Sequence, residues 1–250
     1  MTSPATDPSP SSASGQPAPA SSVQAVAPDS IFAKSALRMG LIHDVLRRNL
    51  GRIIQVAETK EQVSTQDFAD FIELYLRFLM LHHEGEDQYI FPVLKKGPAV
   101  SASDAAFLDS RGSEHVQVHA TCEALGKAAR EVREQGSAAF PSLGRVAGEL
   151  RTLLLPHLQI EEQVLTASHM AKVVSASELE DSQKRMVARD QKEGGTQVLL
   201  FIIHALTPDE QRAFFLDDMP WFVRKVLVGL IWSRSYRRFL PFSHSRTIGL

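Results

Sequence analysis

The sequence predicts an all-α protein, an up-down antiparallel four-helix bundle with a C-terminal helical extension. Three observations carry that reading. From Ile31 onward, apolar residues recur at helical spacing in four long segments. Short connections separate these segments, which favours antiparallel neighbours. No alternating Val/Ile/Thr run is bounded by Asn-Gly or Asp-Gly turns, so no strand is expected.

Composition narrows the class further. Apolar residues make up 44% of the 250 residues and charged residues 22%, an ordinary globular balance. A net charge of -2 excludes a strongly basic nucleic-acid binder. The single cysteine, Cys122, excludes an intrachain disulfide and a thiolate metal cage, and suits a reduced, cytoplasmic compartment. No run of apolar residues is long enough to span a membrane. No Lys or Arg precedes Lys34 and no apolar stretch lies before it, so a secretory signal is not expected.

Residues 1–28 stand apart. Pro, Ser and Ala supply 19 of these 28 positions, too little apolar surface to offset ordering entropy, so a disordered tail is expected. Residues 29–172 should form the bundle and residues 173–250 the helical extension.

The first helix should follow Asp29 or Ser30 and run to about Glu58, with the stripe Met39, Leu46, Leu50, Ile53 and Ala57. The second should start after Ser64 or Thr65, which can cap it, with Asp67 in its first turn. Its stripe is Phe68, Ile72, Tyr75 and Leu79, and Pro92 and Gly97-Pro98 should end it. The third should run from about Ser103 to Glu134, closed by Gly136. The fourth should run from about Ser137 to Met170 along Leu143, Val146, Leu150 and Leu154, kinked where Pro156 removes an amide.

Beyond Ser175, a charged helix should reach Lys192 and break at Gly194-Gly195. A short apolar helix follows, then a start signal at Thr207-Pro208-Asp209-Glu210. Residues 219–250 hold six basic and no acidic residues. A last helix there could lie on an anionic membrane, but packing of its apolar face on the acidic bundle is the preferred reading.

The informative feature is where polar residues interrupt the apolar stripes. His43, His82 with Glu86, His115 with His119, and His157 with Glu161 all fall on core-facing positions. The last three pairs have a spacing of four, which puts both side chains on one helix face. In an up-down bundle all seven residues fall within a slab about 10 Å thick, at ~1.5 Å per residue. A lone histidine on an apolar face is usually a satisfied core residue. Five histidines and two glutamates in one layer are different, because burying that many polar groups is costly without compensation. A metal compensates directly, and imidazole plus carboxylate suits iron, manganese or zinc. Seven ligands exceed one ion, so two ions bridged by carboxylates fit the count.

Other residues carry lesser expectations. His83 lies about 100° from His82 and is placed outside the ligand set, exposed or behind it. Glu114 and Asp44 neighbour ligands and could orient an imidazole, though a solvated role is preferred for both. Glu162 lies about 140° from His157, so Glu161 is the ligand. Cys122, Tyr75 and Tyr89 are read as packing residues. His169, His204 and His244 have no His or Glu four residues away.

The chain resembles hemerythrin and the bacterial hemerythrin-like (HHE cation-binding) domains. The resemblance rests on His43; on His82-His83-Glu84-Gly85-Glu86-Asp87 with Phe91-Pro92; on Glu114-His115 and His119; and on His157 with Glu161-Glu162. It covers residues 31 to about 170 and implies a non-haem di-iron site. By motif position, His115, His119 and His157 would hold one iron, and His43 and His82 the other. Glu86 and Glu161 would bridge the two irons, together with an oxo or hydroxo group. The two-histidine iron would keep one open position for dioxygen, peroxide or nitric oxide. The oxygen carriers of this family place an Asp five residues after the last His; here the spacing of four points to Glu161, which weakens the inference to oxygen transport. The expected function is binding or sensing of dioxygen, a related small ligand or iron status. The alternative is an oxidoreductase that consumes peroxide or nitric oxide at the same site, and a third is an interaction module that has lost its metal.

Overall fold

A computed structural model describes residues 26–215 and 233–244, and every regular element among them is helical. The expected N-terminal tail therefore lies almost entirely outside the described residues, as does most of the basic C-terminal helix. Five helices are long, and four of them come first in the chain: α1 (Ile31–Thr59), α2 (Thr65–Gly85), α4 (Ala102–Gln135) and α5 (Phe140–Val164). Between α2 and α4 lie a π-helical turn, Glu86–Ile90, and the short α3, Phe91–Lys95. Pro92 therefore does not end the second helix. It sits at the start of α3, where its missing amide costs least.

Serine caps set the starts. Ser30, Ser64 and Ser101 each accept from the backbone three residues on, and Ser101 with Asp104 forms a full capping box. Neighbouring helices are antiparallel. Along α2 and α4, Asp70 meets Arg133 and Asp87 meets His115. Along α1 and α5, His43 meets Glu162, while Ala57 meets the backbone of Gly144. In space the order is α1, α5, α4, α2. The fourth long helix ends at Val164, earlier than expected, and a separate α6 (Ala167–Val173) follows, capped by Thr166.

The gap between α1 and α2 is filled by α7 (Ala176–Ala205). Its two limbs meet at Gly195, whose φ of 65° is left-handed, so the Gly194-Gly195 break is a kink within one helical run. α2 explains why α7 sits there. Besides the inward stripe, it carries a second one: Phe71, Leu74, Phe78 and Leu81 are all buried. Phe201 of α7 packs against Phe71 and Phe78 at 5.5 and 5.6 Å between ring centres. The 3-10 turn Arg237–Phe242 adds Phe239 and Phe242, the latter 5.3 Å from both Phe68 and Phe71. One apolar core thus runs through all four long helices and the extension. Burying each such ring stabilises the fold by about 1.5–3 kcal/mol.

Polar contacts fasten the extension as well. α8 (Pro208–Phe215) opens with the Thr207–Glu210 pairing expected from the sequence. Glu210 then receives a two-pronged hydrogen bond from Arg48 of α1, at 2.6 and 2.7 Å. That partner holds the Glu210 carboxyl down at about 2, against an ordinary 4.5. A depressed carboxylate stabilises the fold above its ordinary value, and the contribution is lost as pH falls through the native one. Glu210→Gln should therefore lower urea stability at neutral pH, and the deficit should shrink between about pH 4.5 and 2, as read by paired denaturation curves.

Candidate metal centre

The four long helices converge their polar interruptions on one buried layer. Two groups of donors form, each with atoms within 4.8 Å of one another. The first is His83, Glu86, His115 and His157; the second is His43, His82, Glu86 and Glu161. Six of the seven residues expected from the sequence are therefore together: His43, His82, Glu86, His115, His157 and Glu161.

The two carboxylates lie between the groups. Glu86 turns Oε1 toward His82 Nε2 at 3.6 Å and Oε2 toward His115 Nε2 at 3.5 Å. Glu161 turns Oε1 toward His157 Nε2 at 3.2 Å and Oε2 toward His43 Nε2 at 3.6 Å. Each carboxylate presents one oxygen to each group.

His119 and His83 differ from expectation. His119 is half-buried and belongs to neither group. Its Nε2 lies 3.2 Å from Nδ1 of His83. His83 is fully buried and stacks on His115 with ring centres 4.0 Å apart. The expectation took the 100° between His82 and His83 as exclusion. Glu86 falls between them, ~40° from His82 and ~60° from His83, so adjacent histidines flank one carboxylate and face different groups.

Outer partners hold the imidazoles from behind. Nδ1 of His43 pairs with Glu162 at 2.8 Å, Nδ1 of His115 with Asp87 at 3.0 Å, and Nδ1 of His157 with Glu114 at 3.0 Å. Arg47 in turn donates to Glu162 at 2.7 Å, and Arg111 donates to Glu114. Glu114 and Glu162 are therefore not merely solvated. With Nδ1–H given to a carboxylate, a neutral imidazole is left with its lone pair on Nε2, the form that binds a cation. The Nε2 atoms of His115 and His157 face each other at 3.1 Å, inside the layer.

The donor atoms fit a metal. Nε2 of His43, His82 and His83 and both oxygens of Glu86 and Glu161 are buried with no hydrogen-bond partner. Buried polar atoms are normally paired, and an orphan costs about 1–3 kcal/mol. These seven converge on one place, where a cation would pair all of them.

Burial also sorts the charges. It holds His82 and His83 well below the ordinary histidine range, and neighbouring imidazoles push the same way. Burial beside Glu161 holds the Glu86 carboxyl well above its usual range. Burial acts on Glu161 too, yet the close approach of His115, His157 and His43 outweighs it and keeps that carboxyl below the usual range. His82 and His83 are thus offered in the neutral form, while the ionised form of Glu161 is favoured.

A layer of neutral imidazoles and carboxylates inside a helical core defines a helical metal-binding protein. The model of the hemerythrin HHE cation binding domain matches residues 39–188. The chain belongs to that family. No curated protein and no solved structure gives a significant match.

The positions of His83 and His119 make a direct comparison possible. His83→Ala should lose metal outright, whereas His119→Ala should keep its stoichiometry and bind more weakly, by about 10–100-fold. Metal content after dialysis against a graded chelator series separates the two.

Proposed function

We propose that this chain holds two iron ions and uses them to bind or sense dioxygen or a related small ligand such as nitric oxide or peroxide. The carrying observation is the pair of donor groups that share Glu86, with Glu86 and Glu161 each turning one oxygen to either side. That is the arrangement two carboxylate-bridged cations require. We read α1, α2, α4 and α5 as the up-down bundle of residues 29–172, and the remainder as the extension that packs on it.

In this reading His115 and His157 serve one ion, with His83 in the place expected for His119. His43 and His82 serve the other. Fewer protein donors face the second ion, so the small ligand is assigned there. A di-iron centre supplies, when bound, a redox-active site for such ligands. The protein's part is to keep Nε2 unprotonated, to fix ring orientation through Asp87, Glu114 and Glu162, and to exclude bulk water from the layer.

Tyr75 and Cys122 add no ready peroxide-reactive group of their own. Tyr75 and Cys122 are each seven residues from a ligand on antiparallel helices, which sets both ~10 Å from the donor layer. Burial pushes the Cys122 thiol up to about 12 and the Tyr75 phenol well above its ordinary value. Neither is in the ionised form that reacts readily with peroxide.

Iron content per chain, measured on protein from iron-replete cells, tests the proposal together with an optical spectrum of the reduced protein before and after oxygen. About two irons, with an oxygen-dependent near-ultraviolet or visible band, is the expected result. Less than one metal per chain and no oxygen response would sink it.

Loading should also release protons, because burial favours the protonated form of Glu86 in the metal-free chain and a ligand carboxylate must be ionised. Metal affinity should accordingly weaken as pH falls. A titration with ferrous iron in weakly buffered, oxygen-free solution reads the released protons.

A further inference from the structure

We propose that α7 belongs to the scaffold of the metal site: Ser182, Met186 and Arg189 are positioning residues that hold the π turn carrying Glu86. The inference rests on the reading above that Glu86 is a ligand. It extends the site to a helix outside the four that supply donors.

The π turn is the irregular point of the ligand-bearing chain. Phe91 N–H bonds to the carbonyl of Glu86, five residues back, and Glu86 N–H is shared between the carbonyls of His82 and His83. Pro92 has no amide to give to the turn before it. Such an inserted turn persists where the surroundings over-determine it. It also has consequences for the site. It carries Glu86 and Asp87, and Phe91 just beyond it stacks on His115 at 5.9 Å. One inner donor, one outer acceptor and one ring packed on a ligand thus depend on its shape.

α7 supplies the over-determination. Ser182, wholly buried, donates to the carbonyl of Tyr89 inside the turn at 2.5 Å. Arg189 donates to the carbonyl of Leu81, one residue before His82, at 2.6 Å. The same guanidinium lies 5.6 Å from the centre of the Tyr89 ring and 3.4 Å from Glu84. Between them, Met186 closes on Gly85, where a Cβ would sit 3.0 Å from its Sδ and 3.1 Å from Arg189 Nη2. Ser182, Met186 and Arg189 are spaced four and three apart, so they form one face of α7. Five contacts of different kinds, from one helix face, converge on residues 81–89.

Function enters through rigidity. Ligands must be held to within about 0.5 Å by groups that are themselves fixed. α7 packs directly on the π turn from outside the helices that carry the other donors. α7 is itself anchored elsewhere, by Leu200, Phe201 and Ile203 beyond the Gly195 kink. Loosening residues 182–189 therefore disturbs the turn without detaching the helix.

Co(II) absorption reports coordination geometry and is the probe of choice on the full-length chain. Ser182→Ala and Arg189→Ala should each bind Co(II) about 10-fold more weakly and shift its visible bands, with metal-free helicity unchanged. Arg189→Lys, which can still reach the Leu81 carbonyl, should recover part of the affinity. Val187→Ala, on the exposed side of α7, should match wild type. Wild-type affinity and bands in both variants would overturn the inference while leaving the metal reading intact. Failure of the wild-type chain to take up Co(II) would overturn both. Should Arg189→Ala fail to fold, Ser182→Ala, which removes a single hydroxyl, decides the matter alone.

Discussion

The structure depends on a single constraint: a layer of imidazole and carboxylate donors buried in a helical core must meet a cation or remain unpaired. Water cannot compensate, because His43, Glu86, His115, His157 and Glu161 are almost wholly buried. Much else follows from this. Each outer carboxylate takes the Nδ1 side of a ring, so Nε2 points inward. Each outer carboxylate that lies between helices is then itself pinned, Glu162 by Arg47 and Glu114 by Arg111. The ligand set is therefore ordered from the surface inward rather than by the metal alone, as expected where outer partners fix tautomer and orientation.

The same constraint explains the uneven division of labour along α2. A donor layer contributes little to folding, so apolar stabilisation has to come from the rest of the helix. In α2 it does so on two faces at once. The inward face meets α4, and the outer face of Phe71, Leu74, Phe78 and Leu81 meets α7 and the C-terminal 3-10 turn. The aromatic cluster around Phe201 and Phe242 runs from about one turn before His82, at Phe78, to about four turns before it, at Phe68, and so holds the donors' helix along most of its length. What reads in the sequence as an appended region is in the folded chain part of the core.

Much of this was legible before any coordinates. Helical period, serine caps and the His/Glu spacing of four singled out six residues that the structure brings together, because each signal is local to one helix. What was missed depends on relations between helices. Glu114 and Glu162 carry no signal of their own, since a carboxylate beside a ligand is ordinarily solvated. Only the antiparallel register sets Glu162 on His43 and Glu114 on His157. The second apolar stripe of α2 was visible as Phe71, Leu74, Phe78 and Leu81, but its meaning required a fifth helix to lie against it. His83 is the instructive case. Angular separation from His82 excluded it only on the assumption that one residue, not two, flanks Glu86. The π turn is not inferable from composition either, although Pro92 marks the place where a regular helix could not continue undisturbed.

The opposed behaviour of the two carboxylates bears on how the fold can exist before it is loaded. Were Glu86 and Glu161 both ionised a few ångströms apart in a dry layer, their repulsion would oppose helix association. Burial favours the protonated form of Glu86, while the nearby imidazoles of His115 and His157 stabilise the charge on Glu161. The metal-free layer thus carries one shared anion rather than two bare ones, and its helices can pack. A bound cation would take the place of the Glu86 proton, so the pocket can pack before it is loaded. A layer of this kind needs its geometry set in advance by residues that do not touch the metal. The outer carboxylates do this for the rings, and the contacts of Ser182, Met186 and Arg189 are suited to do it for the turn that carries Glu86.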